Sequence, residues 1–467
     1  MTTLIIAARN ITRNFRRSLM TISAIAVGTM SLLMFGEFVS QIFVALETQN
    51  VVRSGHIALF KKGYFEYGGG NPAAYGIGDY QSLLGLIRDD PVLKPLINVV
   101  TPTINLFGIA GNFSAETSRT FVGLGVVPAD YNRMHRWDEH HLSLSSESNE
   151  PLNEKDEAHG FIGAGLAGIL GLCEPLKLGD CPKQPAGEQD SADGATAQRR
   201  DFSALTEESK PVSFPAESGS VPRLDLLAAT ANGAPNVVNF YVDKAIKQGI
   251  KEYDDAFVIM NFKLAQQLLY GRGERKAVSI VVQLNRTEDI PLARARLEKL
   301  IKEKGLDLET KELTELQPFY TQAVGMFKAI FSFISVVMAV IVIFTVVNTM
   351  SMSVMERTNE IGTLRAMGVK KKGIALQFML EGIILGVIGA TVGILLGSVA
   401  AELVNHSGMT WHPPGQAYPT PLVLRTTGVG YLLLGIWIGL GAMSALAAWI
   451  PAKRAARMKI VDALGHV

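Results

Sequence analysis

The stretch FKAIFSFISVVMAVIVIFTVVNTMSMSVM, residues Phe327–Met355, is apolar along almost its whole length and contains a single charged residue, Lys328. It is longer than the roughly 20 residues that a helix needs to cross a bilayer. Residues 18–46, 374–404 and 428–450 form three further stretches of this kind, and mostly polar residues 47–326 separate the first from the second. The layout predicts a membrane α-helical fold with four transmembrane helices, arranged one plus three, and a large α+β extracytoplasmic domain inserted between the first and second helices.

Cations lie mainly on one side of these four spans. They precede the first span, lie between the second and third, and follow the fourth, at Arg9, Arg13, Arg16, Arg17, Arg357, Arg365, Lys370–Lys372, Lys453, Arg454, Arg457 and Lys459, whereas the short loop 405–427 contains only Arg425. The positive-inside rule therefore predicts that both termini and loop 356–373 are cytoplasmic and that residues 47–326 are periplasmic. A secretory signal would have a shorter apolar core than residues 18–36, so we expect an uncleaved anchor in the bacterial inner membrane.

Net charge, cysteines and histidines limit the kinds of partner and of metal or disulfide site that the sequence predicts. A formal net charge of +1, with the cations placed at the membrane edges, argues against a nucleic-acid partner. Cys173 and Cys181 are the only cysteines, and they form either a periplasmic disulfide across a short loop or two unpaired thiols. Four histidines, at 135, 140, 141 and 159, lack the spacing of metal ligands, so no metal site is predicted.

The periplasmic domain shows alternating strand and helix patterns. Residues 97–110 and 119–128 are β-branched and broken by glycine, and residues 254–311 predict a lobe of βαβ type beside the second span. Residues 138–159 and 183–220 contain few large apolar side chains, which is typical of long loop inserts.

Small and polar residues inside the spans predict close helix packing. Five glycines recur every three or four residues in the third span, and the fourth span contains Gly435 and Gly439. Missing side chains let helix backbones approach, although glycine is also common in membrane helices generally. Asn348 predicts an interhelical hydrogen bond, and Glu37 marks either the water interface or a functional carboxyl group. The glycines of the third span are Gly382, Gly386, Gly389, Gly393 and Gly397.

Aromatic residues mark the outer ends of the first two spans. The first contains Phe35, Phe38 and Phe43, and the second contains Phe327 and Phe331, preceded by Phe319 and Tyr320. They form either an ordinary interfacial belt or the wall of a lateral cavity that receives an amphipathic cargo.

The loop after the second span carries the most specific motif, ERTNEIGTLRAMG, residues Glu356–Gly368. It resembles the cytoplasmic loop of the FtsX-like ABC permease family, whose pattern is matched by residues Glu356, Arg357, Glu360, Ile361, Gly362, Leu364, Arg365, Ala366 and Gly368. Residues 451–467, which contain PAKRAAR, are similar to the family's closing tail, and residues 1–17 are similar to its amphipathic elbow. Short segments of the periplasmic domain, Gly165–Ala167 and Glu252–Asp254 among them, resemble the lipoprotein-releasing permeases, and the macrolide exporters are more distant.

The resemblance implies a permease subunit without catalytic activity. The sequence has no P-loop, so a separate cytoplasmic ABC ATPase dimer would bind ATP and Mg²⁺. Residues 356–373 would be a coupling helix that docks on this dimer. A second permease copy or paralogue is expected, together with membrane lipids and a periplasmic or lipoprotein partner. The expected cargo is a lipoprotein or another lipid-anchored molecule. Alternatives are an efflux permease like the macrolide exporter and an FtsX-like mechanical regulator of a periplasmic hydrolase.

Overall fold

A computed structural model describes residues 2–142, 151–179, 221–271, 275–413 and 418–458. The chain divides into two compact units. The helical unit comprises Met1–Glu47, Gln317–Trp411 and Pro419–Val467, and the sheet unit comprises Thr48–Leu316 with His412–Tyr418.

Long helices dominate the helical unit. Four are long and apolar enough to cross a membrane, one before the sheet unit in sequence and three after it, which confirms the predicted fold class. The helices are α1 (Thr2–Arg13), α2 (Phe15–Ser54), α11 (Pro318–Glu356), α12 (Thr358–Ala366), α13 (Lys371–His406) and α14 (Gly430–Arg457). Two short strands, β10 (Thr410–Trp411) and β11 (Thr420–Pro421), pair between α13 and α14.

The helices extend beyond the apolar stretches that predicted them. The end of α2 reaches Ser54, α11 begins at Pro318, and α14 continues through Pro451 to Arg457. Hydropathy marks only the part of a helix that suits a bilayer, whereas flanking polar residues continue the same backbone hydrogen bonding. The predicted tail from residue 451 is therefore helical at its start, because Ala452, Ala455 and Ala456 favour helix and pack inward.

The sheet unit contains short helices around its strands. Its strands are β1 (Ile57–Lys61), β2 (Ile97–Asn112), β3 (Thr117–Val126), β4 (His159–Gly163), β5 (Arg223–Ala229), β6 (Pro235–Ile246), β7 (Phe257–Asn261), β8 (Ser279–Leu284) and β9 (Leu308–Glu312). Its helices are α3 (Tyr64–Tyr67), α4 (Tyr80–Arg88), α5 (Pro128–Met134), α6 (Ala164–Ile169), α7 (Lys251–Asp254), α8 (Phe262–Tyr270), α9 (Ile290–Glu303) and α10 (Leu313–Leu316).

The strands form one sheet that closes on itself over part of its width. Pairing runs β2–β3–β7–β4–β6–β5 and returns to β2, so these six strands make a ring, while β8, β1 and β9 extend the sheet from β2. The predicted βαβ lobe is split: β1 lies between β8 and β9 and is antiparallel to both. The first residue of β4, His159, belongs to a predicted loop insert, and residues 143–150 and 183–220 lie outside the described part of the chain.

Two phenylalanines fill the interior of this ring. Phe121 and Phe240 are fully buried, and glycines lie against both rings. A Cβ atom on Gly108 would lie 2.7 Å from Phe121, and one on Gly160 would lie 2.8 Å from Phe240. Glycine at these positions lets the strand backbone pass directly over an aromatic ring.

His56 is buried at the start of the sheet unit. Its Nδ1 accepts a hydrogen bond from the Leu284 amide at 3.0 Å, its Nε2 lies 3.3 Å from Thr287 Oγ1, and its ring meets Trp137 edge to face. Nδ1 is therefore unprotonated, so the ring is neutral. Burial lowers the pKa of His56 from 6.5 to about 4.

We expect acid to destabilise the sheet unit through His56. The unfolded chain binds the proton with the ordinary pKa of 6.5, so stability is fully present above pH 6.5 and is lost as the pH falls towards 4. The loss approaches about 3 kcal/mol. Thermal unfolding of the purified protein between pH 7 and pH 4 measures it. His56→Gln should flatten this pH dependence, while His406→Gln at an exposed position should not; equal curves for wild type and His56→Gln would contradict the assignment.

Candidate functional site

The conspicuous motif after the second span folds as α12 and is tied to the start of the chain. Arg17 forms a two-pronged ion pair with Glu356, with distances of 2.8 and 2.7 Å. Arg13 meets Glu360 at 2.7 Å. These pairs are solvent-exposed, so each adds little stability by itself. Glu356 is the last residue of α11 and Glu360 lies in α12, so together the pairs tie the junction of these two helices to α2 and α1.

A third ion pair lies beneath the first two and is buried. Arg357 Nη1 donates to Glu381 Oε1 at 3.0 Å, and the two side chains are only 5% and 4% exposed. Asn10 completes the group, because its side-chain amide donates to Glu381 at 2.6 Å and its carbonyl accepts from Arg357 at 3.3 Å. This buried triad joins α1, α12 and α13 at one point. A charge pair in such a place is costly to break, because either partner alone would remain buried and uncompensated.

The predicted ATPase-docking residues make contacts within the chain, and their part in docking stays a prediction. The side chains of Glu356, Arg357 and Glu360 bond within the chain, and Ile361 and Gly362 are buried against it. A sequence motif cannot reveal these contacts, because Arg13 and Arg17 lie more than 300 residues from their partners Glu360 and Glu356. Leu364 and Arg365 are half-buried.

The exposed surface of this region follows the helix. Met367 is 69% exposed and Val369 is 39% exposed, while Thr363 and Ala366 are also at the surface. Gly368 has φ of +91°, a left-handed conformation that ends the helix and that glycine adopts without strain. We call Thr363, Ala366, Met367 and Val369 the α12 surface.

The glycines of the third span line two different contacts. Gly382 and Gly386 face α14, where an added Cβ would collide with Ala448 and Ser444. Starting three residues after Gly386, Gly389, Gly393 and Gly397 face α2, where the Cβ would meet Ile25, Thr29 and Leu33 at 2.7, 2.5 and 3.0 Å. All five glycines therefore pack inside one chain.

Three polar or small positions lie in surroundings that differ from those predicted. Asn348 is exposed on α11, and within the described residues it makes no hydrogen bond to another helix; its neighbour Thr349, about 100° further round the helix, meets Thr21 at 2.7 Å instead. Gly435 and Gly439 have no neighbouring atom within 4 Å of an added Cβ, so they are not packing positions in the chain.

Comparison with known proteins matches part of this assembly of helices to a family model. The family described as FtsX-like permease C-terminal matches residues 332–460. The chain contains an FtsX-like permease domain. Helices α12, α13 and α14, with most of α11, lie in this domain, whereas Arg13, Arg17 and Asn10 lie outside the matched residues.

Several individual proteins are similar to the chain over shorter stretches. An uncharacterized ABC transporter permease of Methanocaldococcus jannaschii is 25% identical over 48% of this chain and 54% of its own length. A macrolide export ATP-binding/permease protein of Brucella abortus is 30% identical over 30% of this chain and 22% of its own length. An uncharacterized ABC transporter permease of Bacillus subtilis is 31% identical over 26% of each chain. The match thus spans about a quarter to a half of these relatives.

The aromatic residues beside the FtsX-like domain form a continuous contact between α2 and α11. Phe35 stacks on Phe331 with ring centroids 6.2 Å apart, and Phe43 meets Phe327 edge to face at 6.5 Å. Phe38 contacts Trp411 of β10 at 5.3 Å. Trp411 was not singled out from the sequence, since nothing in its local pattern links it to the first span. We call these six residues the aromatic seam.

Glu37 lies in α2 beside this seam and is 2% exposed. Within the described residues its Oε2 has no hydrogen-bond partner. Its backbone carbonyl accepts from the Arg425 amide at 3.4 Å. The carboxyl group is therefore enclosed by the helical unit, and the interpretation that it marks a water interface is wrong.

Two short segments of the sheet unit, Gly165–Ala167 and Glu252–Asp254, meet in space. Asp254 is 2% exposed and accepts hydrogen bonds from the amides of Ala164 and Gly165 at 3.1 and 2.8 Å, and from Gln248 at 2.8 Å. An added Cβ on Gly165 would collide with Asp255. This geometry gives both segments a structural role, that of anchoring the start of α6.

Two further predictions concern a metal site and the disulfide. Within the described part of the chain no group of histidine, cysteine and acidic residues could hold a metal ion. Cys181 lies outside the described residues, so the bridge to Cys173 stays a prediction.

Proposed function

We propose that the chain is the permease subunit of an ATP-driven ABC transporter, and that it passes the motion of a separate cytoplasmic ATPase to its sheet unit. The FtsX-like domain and the ABC permease names of similar proteins support this. We place the protein in the bacterial inner membrane with both termini in the cytoplasm, as the distribution of cations favours. Four membrane helices are too few to enclose a transport path, so a second permease copy or paralogue completes the assembly.

The main support for the proposal is the set of contacts that holds α12 in place. A short helix at the end of two spans is held by the buried triad and by two surface ion pairs, yet it leaves Met367 and Val369 exposed. An exposed apolar patch rimmed by polar groups is typical of a protein contact. Because the helix is fixed to α1, α2 and α13, a force applied to the α12 surface would move the spans and not bend a loop. The docking surface is therefore Met367, Val369 and their neighbours, and the charged residues of the motif act as braces.

Met367→Glu is expected to reduce co-purification of the ATPase by at least about tenfold. A carboxylate buried at an apolar contact loses its hydration without gaining a partner. Affinity purification in mild detergent, followed by quantification of the ATPase subunit, measures this. Met409→Glu is the matched control, because Met409 is also exposed but lies in loop 405–427. Wild-type recovery of the ATPase with Met367→Glu would contradict the docking surface.

The cargo that we propose is a lipoprotein or another lipid-anchored molecule, held at the aromatic seam. Aromatic rings at the outer ends of two neighbouring spans offer apolar area for acyl chains, worth on the order of 0.8 kcal/mol per buried methylene. The resemblance of the periplasmic segments to lipoprotein-releasing permeases supports the same cargo. An interfacial belt would need no ring-to-ring contact between α2 and α11, whereas the seam has two.

Photocrosslinkers in place of Phe38 and Phe327 are expected to capture a lipid-anchored protein in cells. The control position is Leu395 on the third span, which is 63% exposed. Capture of the same bulk phospholipids from all three positions would contradict a cargo role for the seam.

A second candidate is an efflux permease that acts by mechanical transmission. Similarity to a protein named for macrolide export, 30% identical over 141 residues, favours it. The two candidates share the α12 surface and differ in cargo. If purified complexes show ATP hydrolysis stimulated by amphipathic drugs and not by lipoproteins, the efflux function replaces lipoprotein release.

A further inference from the structure

A surface cavity of about 360 Å³ in the sheet unit is lined mainly by polar and cationic groups. It lies where the end of α4, the start of β2 and the helix α5 meet. Its volume equals that of roughly ten water molecules, which is enough for an oxyanion and part of the molecule that carries it. The lining residues are Arg88, Lys94, Ile97, Asn98, Val99, Val100, Asp130 and Arg133.

The charge in this cavity is unbalanced. Three cations face one carboxylate, and the nearest ion pair, Arg88 with Asp130, is long at 4.0 Å. Among the described residues Lys94 Nζ has no partner, and Arg133 uses only its Nε, which donates to Asn98 at 3.3 Å. Other arginines of the sheet unit are closely paired: Arg294 binds Glu298 and Glu312 at 2.9 and 2.8 Å, and Arg296 binds Asp90 at 2.6 Å.

Polar contacts to the strand hold two of the cations in place. Arg88 Nη2 donates to the Val100 carbonyl at 2.7 Å, which fixes its guanidinium over the strand. Asn98, the acceptor for Arg133, donates to Gln283 at 2.8 Å, and Gln283 is fully buried and donates to the Met134 carbonyl at 3.1 Å. The cations are thus positioned before any ligand arrives, which reduces the entropy lost on binding.

We propose that this cavity binds a phosphate oxyanion, of the phosphate monoester or phosphodiester headgroup class. Guanidinium and ammonium groups are the side chains that recognise phosphate oxygens, through charge-assisted hydrogen bonds. The unpaired nitrogens of Arg133 and Lys94 supply those hydrogen bonds, and Asp130 orients Arg88. The phosphate comes from a soluble molecule or from an anionic lipid.

The test uses the full chain in nanodiscs and amide hydrogen exchange over residues 94–100 and 128–134. Inorganic phosphate is titrated into nanodiscs of phosphatidylcholine, and a second series contains phosphatidylglycerol without phosphate. Protection by inorganic phosphate assigns a soluble source, and protection only with phosphatidylglycerol assigns a lipid headgroup. Protection in neither series overturns the proposal.

Variants separate a specific site from general surface charge. Arg133→Gln and Lys94→Gln should each raise the Kd for the effective probe about tenfold, as expected for loss of one charge-assisted hydrogen bond. Arg136→Gln is the matched control, because Arg136 is exposed just after α5 but does not line the cavity; its Kd should stay within twofold of wild type. An equal loss of affinity in all three variants would show a diffuse charge effect and overturn the site.

Discussion

Replacing Arg357 with methionine should destabilise the helical unit by about 3–5 kcal/mol, the cost of leaving one partner of a buried ion pair uncompensated. Glu381 would remain 3% exposed with only Asn10 as a hydrogen-bond donor of the present triad. The same change removes the bond from Arg357 to the Asn10 backbone carbonyl, so α1 keeps only the exposed Arg13–Glu360 pair as a polar tie to α12. Unfolding of the purified protein in mixed detergent measures the loss, and ATPase co-purification should fall with it.

The double variant Arg357→Met with Glu381→Leu provides the control for this prediction. Removing both charges restores an apolar contact, and such replacements of buried pairs are often neutral or stabilising. The double variant should therefore be more stable than Arg357→Met alone. Wild-type stability of the single variant would show that the pair is solvated and does not brace α12.

Gly393→Leu should cost about 3 kcal/mol, at the upper end of the usual range for overpacking a close contact. An added Cβ would lie 2.5 Å from both the Ala26 carbonyl and Thr29 Cβ, and a leucine would extend further into α2. Because a backbone atom is involved, the helices must separate. Reduced disulfide crosslinking between cysteines introduced on α2 and α13 would report that separation.

Gly439→Leu is the matched control for the glycine prediction. Nothing lies within 4 Å of a Cβ at this position, so the same substitution in another membrane helix should change stability little. Equal destabilisation by both variants would contradict the assignment of Gly393 to the contact between α2 and α13. If only the oligomer weakened with Gly393→Leu while the monomer stayed intact, the glycines would serve assembly between copies.

Local sequence determines some parts of this molecule and leaves others open. Hydropathy predicts the spans, because each must be apolar by itself to cross a bilayer. The helix α8 (Phe262–Tyr270) lies in the segment 254–311, for which the sequence predicts a βαβ lobe, because its apolar periodicity is local; the side chain of Asn261 caps its start. The closed ring of β2, β3, β7, β4, β6 and β5 is not predictable in this way, because its pairings join strands far apart in sequence.

The candidate site shows the same division. The motif Glu356–Gly368 predicts a functional helix, but it does not show which of its side chains face inward. Glu360 and Glu356 are exposed yet paired with arginines of the elbow, and Arg357 turns inward to Glu381. Those partners become neighbours only after the four long helices pack. Trp411 joins the aromatic seam for the same reason.

The proposed function requires the sheet unit to move when the ATPase binds ATP, and one distance between spin labels measures that movement. Ser82→Cys places a label on an exposed face of α4, and in an assembly with two permease copies it reports the distance between two sheet units. Pulsed electron spin resonance on the reconstituted complex should give different distance distributions without nucleotide and with ATP plus vanadate, and Met367→Glu should abolish the difference. Identical distributions in a complex that hydrolyses ATP would contradict the account.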